Sequence, residues 1–543
     1  MNFVYKKLWA GGRAIKIFYL PLPSVNPKNP ENEMSTSIIL TIIAIYFALL
    51  LLVSYITTKR KSDSNTFFTG GRQSPWYVVA IAMVGTSISG VTFISVPGMV
   101  GASQFGYLQM ALGFVAGYFA IAYILLPMYY RLNLSSIYSY LDQRFGNSSY
   151  KVGAAFFLVS KFLGCGVRMY LTAIVLQLIV FNGLGVPFWL NVAVTMLVVW
   201  LYTYRGGVKT LVWVDMIQTL SLILAVVLCI WCVMQKMGLD FSGMVGSVAG
   251  SGMSRIWYFD DVNDRQYFFK QFFAGMFTTI AMTGLDQDMM QKNLSCKTLR
   301  DAQKNVVSYG FSFLPVNLLF LVLGVLLYQY AAQCGIYSGG VLTGLSGSQL
   351  KPDELFPYLA TGCDAQGGQL LSVWVSVFFV VGLISAAFSS AGSAVTALTT
   401  SFTVDILRAD KRGGGESRLR RTRNIVHLCN AVVMGVLIYA FSVIGSHSVI
   451  DAVYVVASYT YGPLLGLYIF GLYTRRVVRD GLVPAICVIS PVICLILSLN
   501  SAEWFGGYRM GYELLLYNGA ITALGLFIAS SSAPAPESGK SLS

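Results

Sequence analysis

The run VGLISAAFSSAGSAVTALTTSF, residues 381–402, is unusually rich in hydroxyls for an apolar segment. On a helix, Ser389 and Ser393 stand one turn apart, and Ala386 precedes Ser389 by three residues and Ser390 by four, so all four share or border one face. That face offers a backbone carbonyl and several hydroxyl oxygens, donors that suit a hard cation such as sodium. The alternative is that the hydroxyls bond carbonyls four residues back or glue neighbouring helices. Three charges also lie inside apolar runs. Asp215 sits five residues into one, where a carboxylate is costly and functional by default; a salt bridge to Lys209 or a solvated inner end is the alternative. Lys161 and Arg168 are seven residues apart on one helical face, where cations meet a cavity or an acidic partner. Lys161 is open to pairing with Asp215 or another carboxylate as well as to solute contact, and Arg168 equally to snorkelling toward an interface. The only histidines are His427 and His447, and neither zinc-type spacing nor a Ser/His or paired-carboxylate set is present, so the chain is not expected to be an enzyme.

These residues need long apolar rods to hold them. Of 543 residues, 56% are hydrophobic and 11% charged, against about a quarter charged in soluble domains, and mean hydropathy is +0.66. The expected fold is an all-α polytopic membrane protein. Thirteen spans are expected at 38–57, 76–101, 107–129, 151–180, 186–203, 210–235, 267–291, 303–331, 366–407, 423–444, 447–473, 479–500 and 513–530. If residue 38 starts outside, 24 of the 37 Lys and Arg fall in inner loops, which is why a net charge of +14 reports topology and no nucleic-acid partner is expected. Lys292 is counted among those inner-loop cations. The lipid bilayer is the expected surrounding, in a cell membrane, with the C-terminus cytoplasmic. Cys334 and Cys363 flank a polar loop on the outer side, where they either pair or remain two thiols.

The expected organisation is an extension at 1–37, a peripheral first helix at 38–57, a core at 76–473, two peripheral helices at 479–530 and a tail at 531–543. The basic residues before the first span break the charge pattern, and Met34 directly precedes that span, so translation from Met34 is the expectation; mass spectrometry of the purified chain tests it. Within the core, two spans five apart carry interrupting residues: Gly85, Gly90, Pro97 and Gly98 in the second, Gly275 and Gly284 in the seventh. Matching interruptions in two halves point to a 5+5 inverted repeat with two broken helices, although glycine also serves close packing. Carbonyls freed at a break must be satisfied, and a bound cation does so.

The segments FFTGGRQSPW (67–76), YRGGVKTLVWVDMIQ (204–218), GLDQDMMQKNLSCKTLRDAQK (284–304), SAAFSSAGS and YGPLLGLYIFGLY (461–473) run in the order found in the sodium/solute symporter family, which the chain resembles over nearly its whole length after residue 37. The resemblance implies alternating-access sodium symport of a small-molecule solute, with sodium held by the carbonyls of Gly85, Ile88 and Ala386 and the hydroxyls of Ser389 and Ser390. Some members have a second sodium site. Here it would use Asp215, Ser389 and Ser393, and Gly392 stands where another hydroxyl is wanted, so the site is incomplete. Sugar-carrying members place Gln or His, Glu, Asn and Gln where this chain has Thr92, Ala111, Thr279 and no Gln between 440 and 480. A hexose is thereby disfavoured relative to a monocarboxylate or another acidic or zwitterionic solute. Thr92, Phe93, Thr279 and Met282 are the expected pocket lining. Proton coupling through Asp215 and a transporter-like sensor are the competing readings; a monomer or loose homo-oligomer is expected.

Overall fold

The computed structural model describes residues 6–10, 13–17, 30–57, 64–134, 136–177, 181–182, 184–204, 207–345, 347–362, 369–411, 415–444, 449–506, 508 and 510–531. The long helices are α1 (Pro30–Thr57), α2 (Trp76–Ser87), α3 (Gly90–Ser103), α4 (Tyr107–Ala120), α5 (Asn147–Leu176), α6 (Phe188–Thr203), α7 (Gly207–Lys236), α8 (Phe268–Thr279), α9 (Gln287–Asn293), α10 (Leu299–Gln333), α11 (Val373–Ser401), α12 (Gly415–Ile444), α13 (Val449–Tyr473), α14 (Val483–Trp504) and α15 (Leu514–Ile528). Strands occur only as two-stranded pairs among the described residues. The expected all-α membrane architecture is therefore present.

Every expected span corresponds to a helix or a broken pair, but the count of thirteen crossings is not reproduced by length and composition. Among the described residues nine helices are long and apolar enough to cross a bilayer, or ten when α2 and α3 count as one bent span. The remaining spans fall short for physical reasons: α6 has 16 residues and α15 has 15, below the about 20 needed for an untilted crossing, and the α8–α9 pair is interrupted. The Cys334–Cys363 pairing and the tail from residue 532 lie outside the described residues, because Cys363 does.

Local signals explain the ends. Thr298 caps α10 by accepting from Asp301 N at 3.1 Å, and Ser372 caps α11 by accepting from Val375 N at 3.4 Å. The bundle centre joins α7 to α11, α2 to α7, α4 to α8, and α5 to α11, so each broken helix is clamped by unbroken ones. Helix α1 lies outside on α6, α7 and α11, where Ser54 Oγ donates to Tyr202 O at 2.8 Å, and α14 and α15 flank α13.

Both breaks fall in the expected spans. Helices α2 and α3 are bent by 62°, and the two residues between them, Ile88 (ψ 91°) and Ser89 (ψ 172°), are extended. Glycine supplies proximity here, not the break itself: a Cβ on Gly85 would lie 2.0 Å from Thr219 Oγ1, and one on Gly90 would lie 2.4 Å from Thr172 Oγ1. In the second pair, α8 runs into a π-helical turn at Ile280–Gly284, and Asp286 is extended before α9 (φ −104°, ψ 120°).

Candidate functional site

The first break frees backbone polar groups beside the hydroxyl-rich face of α11. Ile88 N–H still closes onto Val84 O at 2.9 Å, but Ser89 N–H turns to Ser87 O at 3.1 Å and so abandons Gly85 O, its helical partner. Across the gap, Ser390 Oγ donates to Thr86 O at 3.2 Å. Ser389 Oγ is fully buried and has no hydrogen-bond partner, an arrangement that is rare unless something else satisfies the oxygen. The Ser390–Thr86 bond joins the end of α2, which holds Gly85 and Ile88, to the stretch of α11 that holds Ala386, Ser389 and Ser390, and all five are buried.

The α11 hydroxyls are engaged in several ways: Ser376 donates to Ala360 O, Ser401 donates to Asp405, and Thr396 Oγ1, like Ser389 Oγ, is buried without a partner. Ser385, Thr399 and Thr400 bond the carbonyls four residues back, at 2.7, 2.7 and 3.0 Å, as the packing alternative requires. Ser389, Ser390 and Ser393 do not. Ser393 Oγ donates to Asp215 Oδ2 at 3.0 Å.

Asp215 is fully buried, and its partner corrects two expectations at once. It pairs neither with Lys209 nor with Lys161: Lys292 Nζ lies 2.5 Å from Asp215 Oδ2, with side chains 1% and 0% exposed. Lys292 also donates to Thr86 Oγ1. Lys292 is therefore not an inner-loop cation; it belongs to α9 and points into the bundle. The loop assignment failed because α9 continues past the apolar run that defined the span. The hydroxyl absent at Gly392 also has a steric reason, since a Cβ there would sit 2.1 Å from Tyr202 Oη, which donates to Phe388 O at 2.6 Å.

The second break is held differently. Tyr129 and Tyr138 donate to the carbonyls of Gly284 and Leu285, each at 2.9 Å, so tyrosines satisfy groups that a cation was expected to satisfy. Asp286 caps α9, accepting from Asp288 N at 2.8 Å and Met289 N at 3.3 Å, and also receives the Tyr461 hydroxyl. Lys161 Nζ closes on Asp286 at 3.2 Å and Asp288 at 2.7 Å, all three side chains at most 10% exposed. Lys161 thus pairs with other carboxylates and not with Asp215. Sequence reasoning passed over Asp286, Asp288 and Lys292, although three charges within GLDQDMMQK, at the end of an apolar run, were the available signal.

Between the breaks lies a cavity of about 120 Å³. Thr92, Thr279 and Met282 line it, as do Lys161 and Arg168. Phe93 does not: it is fully buried on the far side of α3, its ring 5.4–5.9 Å from those of Phe320, Phe356 and Phe379. Consecutive residues on a helix point about 100° apart, so Thr92 and Phe93 cannot both face one cavity squarely. Arg168 Nε donates to Gly164 O at 3.0 Å, and among the described residues no carboxylate closes on its guanidinium.

Known proteins are similar to this chain in sequence and in fold. Sodium-coupled monocarboxylate transporter 2 of Mus musculus is 26% identical over 432 residues, which are 77% of this chain and 64% of that protein, so the chain spans less than two thirds of that relative's length. The Homo sapiens sodium/iodide cotransporter is 26% identical over 449 residues, 79% of this chain and 65% of its own. The sodium/sialic acid symporter NanT of Aliivibrio fischeri is 21% identical over 506 residues, 88% of this chain and 91% of its own. In structure, a Na+-coupled sialic acid symporter in a substrate-bound outward-open state superposes with a TM-score of 0.73 at 18% identity, covering 91% of this chain and 99% of that one, which shows a shared fold. The family model described as Sodium:solute symporter family matches residues 67–488, and on that match this chain belongs to the family.

Proposed function

We propose that this chain is a sodium-coupled secondary symporter that imports a small acidic or zwitterionic solute, a monocarboxylate before a hexose, by alternating access across a cell membrane. The observation that carries the sodium step is the buried, partnerless Ser389 hydroxyl on α11, one residue from the Ser390 that bonds the broken end of α2 at Thr86 O. Sodium there would be held by the carbonyls of Gly85, Ile88 and Ala386 and the hydroxyls of Ser389 and Ser390, and would draw α2 against α11. Binding of that kind stabilises one conformer of a two-state bundle, here the one that accepts solute, before the bundle rocks inward.

Two features support the solute class. Arg168 presents a guanidinium to the cavity, and a planar donor fork suits a carboxylate. The cavity is about 120 Å³, of the same order as the about 150 Å³ that accommodates a benzene-sized guest, so roughly half a dozen heavy atoms fit. Lys161 offsets only one of the two carboxylates of Asp286 and Asp288, which line the same cavity, so the cavity is not net positive and the carboxylate reading rests on the Arg168 fork itself. The direct test is uptake of a labelled monocarboxylate panel into proteoliposomes, with sodium replaced by choline at fixed pH. Sodium-dependent accumulation of at least one small carboxylate is expected; uptake indifferent to the replacement would exclude sodium coupling and favour a proton.

A further inference from the structure

The two cation pockets that converge on α11 differ in what fills them. The first holds an unpartnered hydroxyl, whereas the second, where Asp215 Oδ2 accepts from Ser393 Oγ at 3.0 Å, already holds an ammonium group. Lys292 Nζ contacts one oxygen from each of two elements, Asp215 Oδ2 on α7 and Thr86 Oγ1 on α2. Thr86 Oγ1 lies 3.4 Å from the same Asp215 oxygen, and Ser393 Oγ completes the cluster from α11. Three oxygens, from Asp215, Thr86 and Ser393, thus gather around a tethered ammonium, and a small monovalent cation favours oxygen ligands of this kind.

We propose that Lys292 is a built-in replacement for a second sodium ion, so that this chain binds one sodium where the same cage without a lysine would bind another. Asp215 is the one carboxylate in the cage, and with Lys292 against it the buried charge is balanced. A sodium ion added to Asp215 and Lys292 would leave that buried cage with a net positive charge, which is disfavoured strongly unless paired. The tether also joins the two broken helices, α9 supplying the ammonium and α2 the threonine, a link that an exchangeable ion would make only while bound.

The proposal rests on the sodium-symport reading, and the test separates the two. Binding of 22Na+ to purified full-length chain is counted by scintillation proximity, without any solute. The wild type is expected to saturate at one ion per chain, Lys292→Ala at two, and both Lys292→Arg and the double variant Lys292→Ala/Asp215→Asn at one. No binding by the wild type would remove the symport reading itself. Two ions on the wild type, or one ion on correctly folded Lys292→Ala, would overturn the proposal while leaving sodium coupling in place. If Lys292→Ala does not fold without sodium but is recovered by purification in sodium, the recovery supports the proposal, and its absence at every sodium concentration beside a one-ion Lys292→Met counts against it.

Discussion

Individual side chains set what this bundle can hold. Ser389→Ala would remove one hydroxyl ligand from the proposed sodium site and leave the packing of α11 unchanged in volume to within one oxygen. A lost hydrogen-bond-strength ligand of about 1–1.5 kcal/mol corresponds to a roughly tenfold rise in the sodium concentration for half-maximal uptake. Unaltered sodium dependence would take Ser389 out of the site. Arg168→Ala is expected to reduce carboxylate uptake at least about tenfold while sodium binding measured without solute stays the same; Arg168→Lys should recover little, because a point charge does not reproduce the fork. Equal uptake in the Arg168 variants would move carboxylate recognition elsewhere in the cavity. At this scale the serines were legible in the sequence because three- and four-residue spacing alone aligns Ala386 with Ser389 and Ser390. Lys292 was not legible, since a lysine just past an apolar run looks like a loop residue until the chain is seen to stay helical through Asn293.

Helices and their interruptions decide where those side chains meet. The first break turns Ser89 N–H away from Gly85 O beside the point where Thr86 O meets α11, and the second presents a carboxylate cap to α5, so similar placement in the two repeats serves different chemistry. Removing the α5 cation is therefore severe. Lys161→Met would leave Asp286 and Asp288 without their shared countercharge, a change that typically costs about 3–5 kcal/mol when a buried pair loses one partner. Its thermal unfolding in detergent should fall far below wild type, and an unchanged melting temperature would mean that the carboxylates are held by Tyr461 and the α9 amides alone. On α11, Gly392→Ser should not create a sodium ligand; its Cβ would overlap Tyr202, an overpacking worth about 1–3 kcal/mol. A variant as stable as wild type with an added sodium ion bound would show that the tyrosine yields. That both spans are broken was readable from their glycines, yet the glycines do a different job: Ile88, Ser89 and Asp286 adopt the extended backbone, while Gly85, Gly90 and Gly284 admit neighbours closely.

For the whole molecule the question is how much work one ion can do. A sodium ion moving through 100 mV releases about 2.3 kcal/mol and a tenfold concentration gradient about 1.4, together about 3.7 kcal/mol, enough to hold a neutral solute at roughly a 500-fold gradient. A single exchangeable ion beside a tethered ammonium is thus sufficient drive. The all-helical membrane class was plain from composition because few charged residues interrupt the apolar runs, whereas the number of crossings was not, because short helices such as α6 and α15 are apolar but shorter than a bilayer is thick. Solute identity is the least legible layer, since it depends on a handful of cavity residues, such as Thr92 facing in and Phe93 facing away, that only packing distinguishes. The account turns on a sodium ion seated between the first broken helix and the serines of α11. The most direct measurement is the melting temperature of the purified chain in sodium and in choline at equal ionic strength, for the wild type and for Ser389→Ala/Ser390→Ala. Ligand linkage gives about 2.7 kcal/mol of stabilisation at a hundred times the dissociation constant. The wild type should therefore melt at a higher temperature in sodium and the double variant at the same temperature in both salts; a wild type that melts identically in sodium and choline would contradict the account.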